Sequence, residues 1–581
     1  MHGGQFASST HMWEAASARA VDWQVAPDWR DVLLGPVGLR LEEWITCGQA
    51  QLIKHGPRRA VYRVDAADHR FFVKHYRCPS WWQAARHLFQ ASAAQREYRR
   101  ALETSRRQIP TVTPVAVGER RHHGLVYDNY LVTEAIGDCF SFDDYVRRVL
   151  PGFDRATQAR LRRTLTVGLA KLCAAAHRAG VDHRDFHAGN LLVRVSHAAA
   201  DGLAVPELFL IDLPSVRLSR GMSWRRAAAG LVMLGAAWSA IASRSDCWRF
   251  WRAYLRERPE LRLADMRRTA LQLIGRIGER RRRVARGRDR RSLGENRDFY
   301  RLREDGAAAN AVRDLPADQL KRLLADPCEP LVNGLHRPYK LAHRSVVVEG
   351  RLPLDGETTR VAYKRVRPKN WWKALLFCFR RSPALEAWYF GHALLLRGIA
   401  TARPLAVIER RWFGLRGESY LATQWIDGAV NLHLYAWRLA KRPPSERQRR
   451  TRQTAVALGR LVGRMHGWRV SHRDMKACNV LVVERPDGVD CSLIDADSVR
   501  IGRRLPGWLQ ALNLARLAVS LVAHPWVSNG DRLRFWRAYL SELSRGDSRW
   551  RRDDWKPLWR RVARAANTLE AKLRRQGRAV V

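Results

Sequence analysis

The stretch HRDFHAGNLLV occupies residues 183–193, and a close copy of it, HRDMKACNVLV, occupies residues 472–482. A second repeat accompanies the first: the heptapeptide RFWRAYL stands at residues 249–255 and again, letter for letter, at residues 534–540. Similar motifs that recur in the same order, far apart in one chain, indicate that a whole structural unit has been duplicated. We therefore predict two diverged copies of one domain of roughly 280 residues.

Length and composition set the domain boundaries. The chain has 581 residues, of which 46% are hydrophobic, and this is enough for more than one packed core. We predict the first domain at residues 25–278 and the second at residues 293–575. The arginine-rich run between them predicts a basic linker at residues 279–292. Residues 1–24 and 576–581 are predicted to be terminal tails.

Both copies show the same predicted order of local structure. Runs of β-branched residues predict hairpin strands at Ala60–Val64 and Phe71–Lys74, and again at Ser345–Glu349 and Arg360–Lys364. A helix follows each hairpin, and more strands, a long helix, the repeated loop and further helices complete each copy. The predicted fold class is α+β, with a small N-terminal β-sheet lobe and a larger helical C-lobe in each domain.

Five polar residues recur in the same order in each copy. A lysine on a strand is followed by a glutamate on the next helix, an aspartate and an asparagine in the repeated loop, and an aspartate that ends a strand. These residues are Lys74, Glu97, Asp185, Asn190 and Asp212 in the first copy and Lys364, Glu386, Asp474, Asn479 and Asp495 in the second.

Phosphoryl transfer requires this set of groups. The lysine cancels charge on the phosphates, the glutamate holds the lysine, and the loop aspartate orients the attacking hydroxyl and accepts its proton. The asparagine and the last aspartate supply oxygen ligands of the kind that Mg²⁺ prefers. The motifs predict two tandem protein-kinase-like domains that use ATP and Mg²⁺.

With these motifs the chain resembles the bacterial lipopolysaccharide core kinases of the Kdo/heptose (WaaP-like) type, which are relatives of protein kinases. The resemblance rests on HRDFHAGN, HRDMKACN, SPALEAWYF and LIDLPSVRL, and it covers most of both copies. It implies a kinase that phosphorylates sugar hydroxyls, of Kdo or heptose, in the core of a lipopolysaccharide-like glycolipid. By resemblance, Asp185 and Asp474 are catalytic, Lys74 and Lys364 bind phosphate, and Asn190, Asp212, Asn479 and Asp495 bind the metal.

The chain departs from the protein-kinase pattern, since neither metal-binding aspartate is followed by Phe-Gly, and its two copies also differ from each other. Neither copy has a G-x-G-x-x-G loop to cover the phosphates, and the first copy offers only Gly56 in the sequence LIKHGPRRAVYRV. Two residues after the loop aspartate, the second copy has Lys476 where the first has His187. A lysine stabilises the charge of a transferring phosphoryl group better than a largely neutral histidine. We therefore count Lys476 as a catalytic residue and expect the second copy to be the more active.

The acceptor is predicted from the short segment after each metal-binding aspartate. Little more than a dozen residues separate Asp212 from the next predicted helix, with no A-P-E-like anchor, whereas protein kinases have a long activation segment there. This favours a non-peptide acceptor. Two alternatives stay open: a serine/threonine-type protein kinase, and a nucleotide-binding pseudokinase scaffold with one or both copies inactive.

Charge and composition bear on partners and location. The chain has 104 basic and 56 acidic residues, a net charge of +48, which favours an acidic glycolipid and an anionic membrane surface as partners. Nucleic acid is disfavoured because it leaves the two ordered acidic sets unexplained. The tryptophan pairs Trp81–Trp82 and Trp371–Trp372 suit a membrane interface, although packing in a core would also account for them.

The predicted location is cytoplasmic, peripheral at the inner face of the cytoplasmic membrane. Nine scattered cysteines without a C-x-x-C pair are typical of reduced thiols, and no signal peptide is expected in the first twenty residues. The apolar segment at residues 227–242 is shorter than the roughly 20 residues that cross a bilayer, so we expect a buried helix there. The sequence leaves the oligomeric state open.

Overall fold

The computed structural model divides the chain into two units, Met1–Ile277 and Gly278–Val581. Each unit contains both helices and strands. The structure describes residues 14–18, 21–36, 38–56, 58–77, 90–122, 125–196, 205–238, 241–261, 265–304, 306–332, 338–342, 345–367, 381–412, 415–546 and 555–576. Both tryptophan pairs that the sequence suggested for a membrane interface lie outside these residues.

The first unit begins with a seven-stranded antiparallel sheet, and its inner face buries Trp23, Phe71 and Val73. Burial alternates along its strands, as the period of two in a half-buried strand requires. In spatial order the strands are Glu14–Ala18, Val21–Val25, Pro114–His122, Leu125–Glu134, His69–Arg77, Arg59–Ala66 and Ala50–His55.

The first two of these strands correct the predicted N-terminal tail, residues 1–24. Val21–Val25 pairs with Pro114–His122 and buries Val21 and Trp23, so this segment belongs to the folded unit. The alternation of apolar and polar residues in VDWQV is typical of a half-buried strand, but a run of five residues is a weak signal.

The rest of the first unit is mainly helical. Ser92 caps the helix Ala93–Arg106 through its side chain, and this helix packs against the sheet. The helices are Arg30–Leu33, Leu41–Thr46, Ala93–Arg106, Phe142–Asp144, Arg155–Arg178, Trp224–Trp238, Arg244–Arg256 and Met266–Asp289. The smaller sheets consist of Cys139–Ser141, Leu191–Ser196 and Val205–Leu210; of Val181–His183 and Val216–Leu218; and of Leu34–Gly35 and Gly38–Leu39.

The second unit repeats this arrangement. Its seven-stranded antiparallel sheet has the spatial order Phe299–Glu304, Ala307–Val312, Pro404–Trp412, Leu415–Gln424, Glu357–Val366, Ser345–Leu354 and Pro338–Ala342. Its helices are Ala317–Ala325, Glu329–Val332, Pro383–Leu396, Leu432–Ala440, Pro444–Gly467, Gly507–Val519, Asn529–Gly546 and Trp555–Arg575. The smaller sheets consist of Val430–Asn431, Val480–Arg485 and Gly488–Leu493, and of Val470–His472 and Val499–Ile501.

The repeated heptapeptide packs the helical part of each unit. It lies in the helices Arg244–Arg256 and Asn529–Gly546, where Tyr254 and Tyr539 are fully buried. The hydroxyl of each tyrosine lies 2.9 Å from Nδ1 of a buried histidine, His177 or His466 respectively. The tyrosine of the heptapeptide thus makes the same buried polar contact in both cores.

The basic run predicted as a linker, residues 279–292, is mostly helical. The division between the units falls inside the helix Met266–Asp289, and the end of that helix is packed into the second unit. Asp289 accepts from Arg397 at 2.6 Å, with both side chains almost completely buried. Removing either partner of such a pair leaves an uncompensated buried charge, so this segment is a structural part of the second unit.

The apolar segment at residues 227–242 begins as the helix Trp224–Trp238. Ala228, Leu231 and Leu234 of this helix are buried in the core of the first unit. Among the residues that the structure describes, no helix combines the length and the apolar character needed to cross a bilayer.

Candidate active site

In the first unit, Lys74 lies in the middle of the sheet and reaches the next helix. It stands opposite Val61 on one neighbouring strand and Leu131 on the other. Its Nζ is 2.5 Å from Oε1 of Glu97, which is almost completely buried. The structure therefore forms the lysine–glutamate pair predicted for the first copy.

Tyr76 fixes the glutamate of this pair from the other side. Its hydroxyl donates to Oε2 of Glu97, and it follows Lys74 by two residues, so both side chains lie on one face of the strand. Burial, together with the neighbouring Glu97, raises the pKa of Tyr76, so the phenol stays protonated and donates. Both oxygens of the buried carboxylate thus have a partner, as burial of a charge requires.

Asp212 lies two residues after the end of the strand Val205–Leu210. Its Oδ1 is 3.0 Å from Nη1 of Arg59 and 4.0 Å from Nζ of Lys74. Burial opposes ionisation of Asp212, but Lys74 and Arg59 outweigh it and lower the pKa of this carboxyl. Asp212 and its counterpart Asp495 both adopt the left-handed backbone conformation, with φ of 57° and 59°, which is uncommon outside glycine.

The repeated loop brings Asp185 and Asn190 to the same end of a strand pair as Asp212. Nδ2 of Asn190 donates to the backbone oxygen of Asp185 at 2.8 Å, and the amide of Ile211 donates to the backbone oxygen of Asn190 at 3.0 Å. The Asp185 side chain is 62% exposed and can meet a ligand from solvent. His183 anchors the loop, since its Nε2 lies 3.0 Å from the carbonyl oxygen of Ile211.

The loop of the second unit has the same construction. Nδ2 of Asn479 donates to the backbone oxygen of Asp474 at 2.7 Å and to its Oδ2 at 3.0 Å. Nζ of Lys476 is 3.0 Å from Oδ2 of Asp474, so the lysine predicted to be catalytic contacts the loop aspartate. In the first unit His187 occupies this place, with its Nε2 at 3.6 Å from Asp185.

The lysine of the second unit has a different partner from that of the first. Nζ of Lys364 lies 2.7 Å from Oδ1 of Asp495, whereas Glu386 is held by Nη2 of Arg500 at 2.9 Å. Burial opposes protonation of Lys364, but Asp495 and Asp497 outweigh it and raise the pKa of the lysine. The predicted holding of Lys364 by Glu386 is thus absent from this structure.

The two units also differ at the position two residues beyond each lysine. Val366 stands where the first unit has Tyr76, so the second unit has no phenol at that position to hold the glutamate near its lysine. The guanidinium of Arg500 satisfies Glu386 instead. The two sites therefore share their residues but differ in how the residues are paired.

Sequence reasoning missed four residues at these sites: Arg59, Tyr76, Arg500 and Asp497. The spacing of two between Lys74 and Tyr76 could have placed the tyrosine on the lysine's face of the strand. Arg59 is the cross-strand partner of Tyr76, which no sequence pattern revealed. Asp497 lies two residues after Asp495. Burial and the negative charge of Asp495 both raise the pKa of the Asp497 carboxyl.

The residues present fit a magnesium ion that is shared with phosphates. Because Nδ2 of Asn190 donates to the Asp185 carbonyl, its amide oxygen is not used in that bond and could serve as a ligand together with the carboxylate of Asp212. Within the described part of the chain, no cluster of three or more His, Cys, Asp or Glu side chains could hold a metal alone. Mg²⁺ in nucleotide sites commonly takes only one or two carboxylates and completes its shell with water and phosphate oxygens.

A half-buried lysine on a sheet, an asparagine and an aspartate that could hold Mg²⁺, and an exposed loop aspartate are typical of a phosphotransferase of the kinase class. Comparison with known proteins gives this class a family. The sequence model of the lipopolysaccharide kinase (Kdo/WaaP) family matches residues 46–254 and 369–539, one segment in each unit. The chain belongs to this family, and it is a kinase.

Curated relatives carry the same family names. Over 215 residues the chain is 27% identical to the lipopolysaccharide core heptose(I) kinase WaaP of Pseudomonas aeruginosa, covering 36% of this chain and 78% of that protein. Over 196 residues it is 28% identical to the 3-deoxy-D-manno-octulosonic acid kinase of Pasteurella multocida, covering 32% and 68%. A solved structure described as WaaP in complex with acyl carrier protein is 22% identical, covers 43% of this chain and 98% of that chain, and superposes with a TM-score of 0.30.

Proposed function

We propose that the chain consists of two tandem protein-kinase-like domains and transfers the γ-phosphate of ATP to a sugar hydroxyl of a lipopolysaccharide-like glycolipid core. The observation that carries the proposal is the lysine–glutamate pair of the first unit, beside a metal-binding aspartate and a loop aspartate, in a chain of the lipopolysaccharide kinase family. The names of the relatives, a heptose kinase and a Kdo kinase, support an inner-core sugar as acceptor.

The residues of the first unit divide the chemistry among them. Lys74, held by Glu97, pairs with the phosphates, and Asn190 and Asp212 would hold Mg²⁺, which supplies charge neutralisation on the phosphate oxygens when it is bound. Asp185 orients the sugar hydroxyl and takes its proton as the bond to the γ-phosphorus forms. The bond from that phosphorus to the bridging oxygen breaks, and ADP leaves.

The second unit needs a rearrangement before it can work in the same way. Lys364 is engaged by Asp495, and Glu386 must leave Arg500 to take its place beside the lysine. Lys476 favours activity of this unit, but the lysine–glutamate pair is formed only in the first. We therefore propose the first unit as the main transfer site, against the expectation from the sequence.

The segment after each metal-binding aspartate supports a non-peptide acceptor. Asp212 is followed by a short turn, the strand Val216–Leu218 and, at Trp224, the next helix. In the second unit the strand Val499–Ile501 is followed by the helix that begins at Gly507. Neither segment has the length of the activation segment with which protein kinases shape a peptide groove.

Labelled ATP tests the acceptor. We expect the purified full chain to transfer phosphate to lipid A–core glycolipid and to leave casein unlabelled. Label in casein alone would contradict the proposal in favour of a protein kinase. Binding of ATP without transfer to any acceptor would favour the pseudokinase scaffold instead.

A membrane location is supported by one surface of the second unit. The helix Leu432–Ala440 packs against the turn Ala477–Asn479 of the catalytic loop, and it leaves Leu434 and Trp437 about half exposed. Arg438 and Lys441 are exposed beside them. Exposed aromatic and aliphatic side chains beside basic ones suit the interface of an anionic membrane. We propose that this face rests on the cytoplasmic surface of the membrane that carries the acceptor.

Replacing both Leu434 and Trp437 by serine is expected to weaken binding of the full chain to phosphatidylglycerol vesicles by about tenfold or more, because each loses apolar area at the interface. Vesicle cosedimentation measures this effect. The matched control is Leu533→Ser, an equally exposed leucine on another helix of the unit. Equal binding of the double variant and this control would refute the assignment of the surface.

A further inference from the structure

A hairpin in the first unit places a positively charged side chain beside Asp212. It is formed by the strands Ala50–His55 and Arg59–Ala66. Arg59 lies at its turn, and its Nη1 is 3.0 Å from Oδ1 of Asp212. A ligand that binds beside Asp212 therefore meets positive side-chain charge at this edge of the site.

The backbone of the same turn is poorly suited to bind phosphate. Gly56 is the one glycine of the turn, and a methyl group there would meet only the carbonyl oxygen of Arg59, at an ordinary 3.6 Å. Its neighbour Pro57 has no amide hydrogen to donate. A glycine-rich loop binds phosphates through closely approaching backbone amides, and this turn lacks both the glycines and one of the amides.

Arg59 is held in a position from which it can replace those amides. It is the cross-strand partner of Tyr76, with which it interacts, and its side chain is 24% exposed. A guanidinium has five N–H donors, and its fork matches phosphate oxygens, so a contact with Asp212 leaves donors for a second anion.

Among the residues that the structure describes, the second unit has no arginine at the equivalent position. Val61 faces Lys74 and Val347 faces Lys364, so the residue equivalent to Arg59 is Ser345, two positions before Val347. A serine at this place provides neither the charge nor the reach of an arginine. A phosphate contact made by Arg59 would therefore distinguish the two nucleotide sites.

We propose that Arg59 binds the terminal phosphates of the nucleotide in the first unit and takes the place of the missing glycine-loop amides. The inference rests on the proposed function, because it assumes that a nucleoside di- or triphosphate occupies this site. It assigns to the hairpin a binding role that depends on side-chain charge.

Nucleotide affinity measured by calorimetry tests the inference. The parent is the full chain carrying Lys364→Met and Asp495→Asn, so that phosphate contacts in the second unit are removed. In this background Arg59→Ala is expected to weaken binding of ADP with Mg²⁺ by about tenfold or more, and Arg59→Lys by less, because a charge-assisted contact is lost. Adenosine has no phosphate, and its affinity should be unchanged.

The control is Arg63→Ala, on the same strand, where the arginine pairs with Asp65 at 3.3 Å and is partly exposed. ADP affinity equal to that of the parent in Arg59→Ala would overturn the inference alone. An equal loss of adenosine and ADP affinity would also overturn it, since damage to the fold would then explain the effect. A parent that binds no ADP would overturn the proposed nucleotide site together with the inference.

Discussion

Phosphate transfer to the glycolipid is expected to fall by about 10²–10⁴-fold when Asp185 and Asp474 are both replaced by asparagine. Asparagine keeps the size of the side chain but cannot accept the hydroxyl proton, so the acceptor oxygen is no longer activated. The Asp185 side chain is 62% exposed and that of Asp474 50% exposed, so neither is needed to fill a core. Initial rates with labelled ATP and lipid A–core measure the effect.

The single variants and two controls make this experiment specific. Because the lysine–glutamate pair is formed in the first unit, we expect Asp185→Asn to account for most of the loss. Glu207→Gln and Asp490→Asn remove exposed carboxylates from the strands that follow each loop, and they should leave the rate unchanged. Undiminished transfer by the double variant would show that the loop aspartates are not catalytic.

The order of the candidate site residues along the chain could be predicted, because each of them lies in or beside a short sequence motif. The repeated loop, the LID strand and the lysine-bearing strand are short motifs, and two copies in register make chance agreement improbable. The predicted hairpins were found with longer strands: Phe71–Lys74, for example, lies inside His69–Arg77. Strand ends depend on pairing with neighbours that are distant in sequence, so they are poorly defined by residue type.

The pairing of charges could not be predicted, because it depends on tertiary distances and on competition between partners. Arg59 reaches an aspartate 153 residues away, and Arg500 reaches a glutamate 114 residues away. The sequence contains dozens of arginines, and no local pattern singles out these two. The predicted linker is packed into the second unit through a pair that is also distant in sequence. The buried partner of Asp289 is Arg397, and no local pattern indicates this pairing.

A few residues differ between the two sites, and these differences alter which ion pairs are the most stable. In the first unit Tyr76 contacts Glu97 and Arg59 contacts Asp212, and Val366 and Ser345 stand in their places in the second. Without the phenol, Glu386 gains more from Arg500, and Lys364 gains more from Asp495. We therefore expect the two sites to differ in activity, although both carry the lysine, the glutamate, the loop aspartate and the candidate metal-binding residues.

Replacing Lys74 by methionine is expected to lower transfer by about 10²–10³-fold, whereas Lys364→Met should retain most of the activity. Lys74 is the only lysine of the two that is paired with its helical glutamate, so its loss removes a positioned cation from the site that is already assembled. Steady-state rates with saturating ATP, measured for both single variants of the full chain, test this difference.

A loss caused by unfolding has to be separated from a loss of catalysis. Lys74→Met leaves the buried Glu97 without its cation. We expect this to destabilise the first unit by about 3–5 kcal/mol. The matched control is the double variant Lys74→Met, Glu97→Gln, in which the uncompensated charge is also removed. Thermal unfolding should show recovered stability in the double variant, while transfer stays low because the phosphate-binding cation is still missing. Equal losses from Lys74→Met and Lys364→Met would contradict the asymmetry and assign transfer to both units.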